Sequence, residues 1–148
     1  MLIQGIAGKG KSHLIGCLKD TFVVESLPNP SPLLLLARAS VVAFNIKVLT
    51  IHYALHIPLV LMHPLGGQPL LHLQEKICHV KYILIDEMSF IGPKLLSHID
   101  DHLREVFPSY HNVPFDNRSI ILAGDLSQLP PMKDIPMYVS TSHDNSLW

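Results

Sequence analysis

The chain has 148 residues, of which 48% are hydrophobic, so it can bury one domain-sized core but hardly two. Eleven basic and twelve acidic side chains leave a formal net charge of −1, so overall charge gives no support for nucleic-acid binding. The most apolar stretch, VLTIHYALHIPLVLM, contains Pro58 and falls short of the roughly 20 residues that span a bilayer. We therefore expect a protein without a membrane partner, and any nucleic-acid partner must be argued from local motifs.

Cysteine and histidine give little sign of a disulfide framework or a metal site. Cys17 and Cys78 lie far apart and beside apolar residues, which predicts reduced packing thiols of an intracellular protein. His98 and His102 bracket Ile-Asp-Asp without the Glu of a zinc-protease helix, so we expect the solvated face of a helix there.

The first elements in chain order are a strand, a glycine-rich loop and a helix. MLIQ is a short apolar run, GIAGKGKS follows it, and Leu14, Ile15 and Leu18 then recur at helical spacing. The pattern G-x-x-x-x-G-K-[ST] is typical of loops that wrap backbone N–H groups around phosphate oxygens. In such a loop Lys11 would neutralise the β- and γ-phosphates and the Ser12 hydroxyl would bind Mg²⁺. A glycine-rich surface turn with a chance lysine is the alternative.

The middle of the chain predicts two buried strands. SLPNPSP breaks the chain, and LLLLA (33–37) then reads as a buried strand that begins a second strand–helix unit. PLGGQP is another loop, after which VKYILIDE rises through apolar residues to Asp86 and Glu87 at its carboxyl end. Adjacent carboxylates there are often only solvated loop residues, but beside a phosphate loop they indicate a Mg²⁺ ligand in Asp86 and a water-activating base in Glu87.

The last part of the chain predicts an amphipathic helix, a strand and a polar tail. Beyond Pro93 apolar residues repeat every three or four positions until Pro108, and SIILAGD (119–125) is a further apolar strand. Strands that alternate with helices and are almost continuously apolar predict an α/β fold with a parallel sheet covered on both faces. Ligands of such sheets collect at the carboxyl ends of strands, where the loop at Gly5, the acid pair and the stretch from Asp125 to Gln128 all fall. The tail from Lys133 is polar and shows no period.

A third candidate segment is GDLSQLPP (124–131). A glutamine beyond a neighbouring strand can reach the γ-phosphate, which makes Gln128 the candidate, while a turn whose prolines merely end a strand is the alternative. The chain lacks the Asn-Lys-x-Asp guanine reader of GTPases, so adenine is the favoured base.

With these segments the chain resembles the Pif (petite integration frequency) family of superfamily-one DNA helicases, especially the Helitron transposon form. The matching stretches are GIAGKGKS, ARASVVAFNIKVLTIHYALHIP, LQEKICHVKYILIDEMSFIGPKLLSHIDDHLREVF and IILAGDLSQLPPM. The resemblance implies a RecA-like phosphate-loop fold and an ATP- and Mg²⁺-dependent motor that moves five-prime to three-prime along single-stranded DNA.

Residues carried over from the resemblance fall into three sets. Those implied to bind nucleotide are Gly5, Gly8, Lys9, Gly10, Lys11, Ser12 and His13, with Ser12 and Asp86 at the metal. Lys11, Glu87 and Gln128 are implied to be catalytic. Those implied to contact DNA are Phe44, Asn45, Thr50 and His52, and for Phe44 and His52 core packing and helix capping are the alternatives. Two departures from the family pattern stand out: Lys9 replaces a usual Thr, and Ala37-Arg38-Ala39-Ser40 replaces Ala-Pro-Thr-Gly.

The resemblance also bears on domain organisation. We expect residues 1–132 to form the first RecA-like domain of a two-domain motor and residues 133–148 a tail or the start of a connection. The second domain would supply an arginine worth roughly 10³–10⁵ in rate, so the chain is expected to be a helicase fragment that turns over slowly or not at all. A nuclear role in genome maintenance (repair, recombination or telomere maintenance) or in transposition is implied. A non-catalytic remnant that binds nucleotide, DNA or a partner is the alternative, and a recombination-type phosphate-loop ATPase is a third.

Overall fold

The computed structural model describes residues 1–6, 8–37, 49–57, 66–107 and 112–139. Its strands are β1 (Leu2–Gln4), β2 (Leu33–Ala37), β3 (Leu49–Thr50), β4 (Tyr82–Asp86) and β5 (Ser119–Gly124). Its α-helices are α1 (Lys11–Ser26), α2 (Ile51–Leu55), α3 (Gly67–Ile77) and α4 (Pro93–Val106). Short 3₁₀ turns cover Met88–Phe90 and Pro114–Asn117.

The five strands form one parallel sheet in the order β1-β5-β4-β2-β3. In register, Leu2 lies beside Leu122, Leu84 beside Ile121, and Leu35 beside Leu84. All strands therefore end at the same edge, which confirms the predicted parallel α/β fold.

Both faces of the sheet are covered, as the continuous apolar strands predict. Ile83 and Ile85 of β4 point to one face, where they pack with apolar residues of α2, α3 and α4. Leu84 between them points to the other face and packs with Ile15 of α1. This alternation follows from the period of two residues along a strand.

Two elements differ from the sequence prediction. The two-residue β3 runs beside the end of β2, inside a stretch that gave no separate strand signal. Helix α3 begins at Gly67, so the second half of the predicted PLGGQP loop is a first helical turn. Pro69 fits there because the first N–H groups of a helix have no intrahelical acceptor. The predicted unit after β2 falls partly on residues 38–48, outside the described residues.

Three side chains have environments that the sequence prediction got wrong. His102 is buried, with 8% of its surface exposed, because it shares a face of α4 with Ile99, Leu103 and Val106. His98 on the same helix is exposed, as expected. Cys17 and Cys78 are free thiols but both are exposed, so they do not pack in the core.

The segment after β5 has no helix or strand between residues 125 and 139, yet part of it lies against the domain. Met137 packs on the larger apolar cluster, and the Asp134 carboxylate contacts the start of α4. The domain boundary at residue 132 stays a prediction. Within the described ranges, no helix is long and apolar enough to cross a membrane.

Candidate active site

The phosphate-loop motif connects β1 to α1 at the carboxyl edge of the sheet. Gly8 and Gly10 have φ angles of +76° and +79°, a left-handed conformation that favours glycine. Gly10 precedes the first helical residue, and its carbonyl accepts the Leu14 N–H at 3.0 Å. The first turn of α1 contains no acidic residue, so its dipole and Lys11 both favour an anion at this end.

Lys11 lies across this loop. Its ammonium group donates hydrogen bonds to the carbonyl oxygens of Gly5 and Ile6, the latter at 3.0 Å. The Gly5 N–H in turn donates to the carbonyl of Gly124 at 3.1 Å, which fixes the loop to the end of β5. The lysine charge is therefore held at the point where β1 and β5 end.

The acid pair follows β4 in a tight turn. The Glu87 N–H donates to Asp86 Oδ1 at 2.9 Å, and Glu87 has a φ of +63°. This left-handed residue turns the chain sharply, so the two adjacent carboxylates leave the strand in different directions. Asp86 is buried, with 8% of its surface exposed, whereas Glu87 is partly exposed.

The electrostatics of the acid pair link it to the phosphate loop. Burial raises the pKa of Asp86, against the hydrogen bond from the Glu87 N–H and the nearby Lys11 ammonium. Burial and the Asp86 charge raise the pKa of Glu87, and Lys11 again opposes the shift. Lys11 therefore lies close enough to act on both carboxyl groups, although it and the acid pair are 75 or more positions apart in the chain.

A divalent cation suits the oxygen donors here. The Asp86 carboxylate and the Ser12 hydroxyl are the hard oxygen ligands that Mg²⁺ prefers. Burial of Asp86 disfavours its charge, so a cation beside it would compensate that cost. In the described part of the chain, no group of three or more His, Cys, Asp or Glu side chains could hold a metal.

The Gln128 segment follows β5, which lies between β1 and β4 in the sheet. Asp125 is buried, its Oδ1 accepts the Ser127 N–H at 2.9 Å, and its carbonyl accepts the Gln128 N–H at 3.1 Å. This turn places Gln128 at the same edge as the phosphate loop, with the glutamine exposed.

The remaining predicted residues lie further out or outside the described residues. Thr50 caps α2, accepting the Tyr53 N–H at 3.4 Å, and β3 is at the opposite side of the sheet from β1. His52 is partly buried in α2. His13 is exposed in the first turn of α1, with Nε2 3.6 Å from Cys17 Sγ. Phe44 and Asn45 fall outside the described residues.

Gly124 is a site residue whose role the sequence analysis missed. A Cβ atom on Gly124 would lie only 2.7 Å from the Met88 backbone nitrogen, so the glycine lets β5 approach the turn at Glu87. The conjunction of a glycine and an aspartate at the end of an apolar strand is the signal that could have indicated this close approach.

The site defines a RecA-like phosphate-loop domain. It combines the phosphate loop after β1, the acid pair after β4 and the glutamine segment after β5. A family model described as PIF1-like helicase matches residues 1–143, so the chain belongs to the PIF1-like helicase family. The ATP-dependent DNA helicase PIF1 of Trypanosoma brucei brucei is 29% identical over 142 residues, which cover 96% of this chain and 14% of that protein.

Solved Pif1 helicases share the fold. Bacteroides Pif1 bound to single-stranded DNA superposes with a TM-score of 0.72 at 28% identity, covering 90% of this chain and 30% of that one. The same scores describe a Bacteroides Pif1 complex with ADP-AlF3 and single-stranded DNA. Candida albicans Pif1, at 21% identity and a TM-score of 0.72, shows the fold alone. The chain thus spans less than a third of the length of each of these relatives.

Proposed function

We propose that this chain is the ATP-binding and ATP-hydrolysing domain of an ATP-dependent DNA helicase. The observation that carries the proposal is that the phosphate loop and the acid pair meet at one edge of the sheet: the Gly5 N–H bonds to Gly124, and Gly124 lies against Met88, the residue after Glu87. A phosphate-loop lysine close to an acid pair from another strand is the arrangement that nucleotide hydrolysis requires. Membership of the PIF1-like helicase family supports the same activity.

Each residue of the site has a role in this proposal. The backbone from Gly5 to Gly10 holds the phosphates, and the Lys11 ammonium exchanges its carbonyl partners for phosphate oxygens. Ser12 and Asp86 would hold Mg²⁺, which would supply positive charge against the phosphates. Glu87 orients and deprotonates the attacking water. Gln128 contacts the γ-phosphate.

Three nearby residues complete the proposed nucleotide site. Gly8, Lys9 and His13 flank the phosphates, and Lys9 adds positive charge to the loop. These three assignments rest on the family motif.

Single-stranded DNA is the proposed polymer partner, with Thr50 and His52 on the DNA side together with Phe44 and Asn45. The Bacteroides relatives solved with single-stranded DNA support this choice. Five-prime to three-prime movement, a second RecA-like domain and a nuclear role in repair, recombination or telomere maintenance complete the proposal.

The test measures nucleotide binding by the purified chain. Calorimetric titration with a non-hydrolysable ATP analogue and Mg²⁺ compares the wild type with Lys11→Ala and with Lys19→Ala, a matched lysine on the same helix. Loss of a charged hydrogen-bond donor should weaken binding roughly 10- to 100-fold in Lys11→Ala, and Lys19→Ala should bind like the wild type. Chelation of Mg²⁺ should also weaken binding.

Hydrolysis of ATP is then measured with and without single-stranded DNA. DNA-stimulated turnover that Lys11→Ala abolishes would show a working site in this chain, whereas binding without turnover would show an ATP-binding half of a motor. Absence of nucleotide binding, or equal binding by Lys11→Ala and Lys19→Ala, would refute the proposal and favour a non-catalytic remnant.

A further inference from the structure

The amino-terminal end of α4 is capped by a residue far along the chain. Gly92, which precedes the helix, has no side chain to offer, and Asp134 Oδ2 accepts the N–H groups of Lys94 at 3.1 Å and Leu95 at 3.4 Å. Asp134 Oδ1 accepts the N–H of Ile135 at 2.8 Å. A carboxylate at this position satisfies free N–H groups and complements the helix dipole.

Gly92 makes room for this contact. A Cβ atom on Gly92 would lie 2.2 Å from Asp134 Oδ2 and 2.3 Å from its Cγ, so any larger residue would displace the carboxylate. Gly92 is itself buried, with a φ of −104° that every residue type can adopt. Glycine matters at this position because its missing side chain allows Asp134 to approach closely, and not because of its backbone conformation.

The segment between β5 and Asp134 is held at both ends by the chain that follows β4. At its start, Gly124 lies against Met88, one residue beyond Glu87. At its end, Asp134 is bonded to the first turn of α4. The part between them that contains Gln128, residues 127–130, is exposed, so little else packs against it.

We infer that Asp134 is a positioning residue, whose carboxylate fastens the Gln128 segment to the chain that carries Glu87. The inference rests on the proposed function, in which Gln128 contacts the γ-phosphate and Glu87 the attacking water. A flexible exposed glutamine would spend little time at the γ-phosphate, and fixing both ends of its segment reduces that entropic cost. Asp134 itself touches neither nucleotide nor water in this arrangement.

The experiment separates this role from simple helix capping. For each variant, titration gives the ratio of the ADP dissociation constant to that of the non-hydrolysable ATP analogue, which reports recognition of the γ-phosphate. Urea unfolding of the same samples gives stability. The variants are Gln128→Ala, Asp134→Ala, Asp20→Ala as an exposed control, and the double variant Gly92→Ser with Asp134→Gly, in which glycine removes the Asp134 Cβ that would lie 2.8 Å from a Cβ at residue 92. In the double variant the serine supplies a local cap for α4 but no tie to the tail.

We expect Gln128→Ala to lower the ratio roughly 10- to 100-fold, the value of a hydrogen bond to a charged group, and Asp134→Ala to lower it by about threefold or more, with ADP affinity within about twofold of wild type in both. The double variant should recover the urea midpoint but keep the lowered ratio, and Asp20→Ala should match the wild type.

Two outcomes would overturn the inference while the proposed function stands: a wild-type ratio in Asp134→Ala, or a ratio restored together with stability in the double variant. No effect of Gln128→Ala would overturn the inference and the proposed role of Gln128, while ATP binding through Lys11 would stand. A wild-type chain that binds no nucleotide would overturn both.

Discussion

Replacing Gly124 by alanine tests the close approach of β5 to the turn that carries Glu87. The added Cβ would lie 2.7 Å from the Met88 nitrogen and 3.1 Å from its Cγ, inside ordinary contact distance. The nitrogen belongs to the backbone, so relief requires that β5 or the turn move. Overpacking of this kind costs about 1–3 kcal/mol, and the φ of +152° adds about 1–2 kcal/mol for a residue with a side chain.

The expected result is a loss of about 2–5 kcal/mol in the free energy of unfolding, a large part of the roughly 5–15 kcal/mol typical of a domain. Urea unfolding followed by circular dichroism measures it. Gly16→Ala is the matched control, because a Cβ there meets no atom within 4 Å and the residue lies inside α1. That change should stabilise the protein by about 0.5–1 kcal/mol.

The two substitutions are expected to change the free energy of unfolding in opposite directions, which makes their comparison decisive. If Gly124→Ala is as stable as the wild type, with an unchanged denaturant slope, the close contact with Met88 does not exist as described. A smaller loss of unfolding free energy, accompanied by weaker binding of the ATP analogue, would show that the Glu87 turn and not β5 moves to accommodate the added Cβ.

Further predictions concern a buried histidine, the phosphate loop and the two thiols. Burial lowers the pKa of His102 below that of an unfolded histidine, so the unfolded state takes up the proton more readily and the free energy of unfolding should decrease as pH falls from about 7.5 to 5. His102→Gln should reduce this pH dependence and His98→Gln, exposed on the same helix, should not; equal slopes in the two variants would contradict the assignment. Gly10→Ala should cost about 1–2 kcal/mol because its φ is +79°, and an unchanged urea midpoint would argue against that conformation. Cys17 and Cys78 should both react with a thiol reagent without denaturant, and fewer than two reactive thiols per chain would show that one is covered.

The sheet was predictable where apolar runs were continuous and clearly bounded. β4 and β5 are such runs, and β5 ends at Gly124, one residue before the predicted end. Pro93 and Pro108 marked α4, which begins at Pro93 and ends at Val106. These signals are local, so they can be interpreted without knowledge of the tertiary structure.

Other features depended on contacts that no local pattern records. β3 has two residues and exists only because it pairs with the end of β2. The burial of His102 could have been predicted from the sequence, since His102 follows Ile99 by three positions on the apolar face of α4. Asp134 was not, because its hydrogen bonds reach back 40 positions to Lys94 along a tail with no regular structure.

The candidate site likewise divides into local and distant parts. The Lys11 motif and the Asp86–Glu87 pair are recognisable from their own residues and from the neighbouring sequence. Their proximity at one edge of the sheet depends on the strand order, which is set by long-range packing and not by any local pattern.

The position of β5 also governs the order in which a ribosome can build this domain. β1 is synthesised before the other described strands of this sheet, but its neighbour in the sheet is β5, whose register places Leu2 beside Leu122. Until residues 119–124 have been synthesised, the phosphate-loop strand has no place beside β4, because β5 lies between them. The nascent chain therefore carries its phosphate loop without its neighbouring strand until β5 has been synthesised, and β5 then joins β1 to the rest of the sheet and completes the nucleotide site in one step.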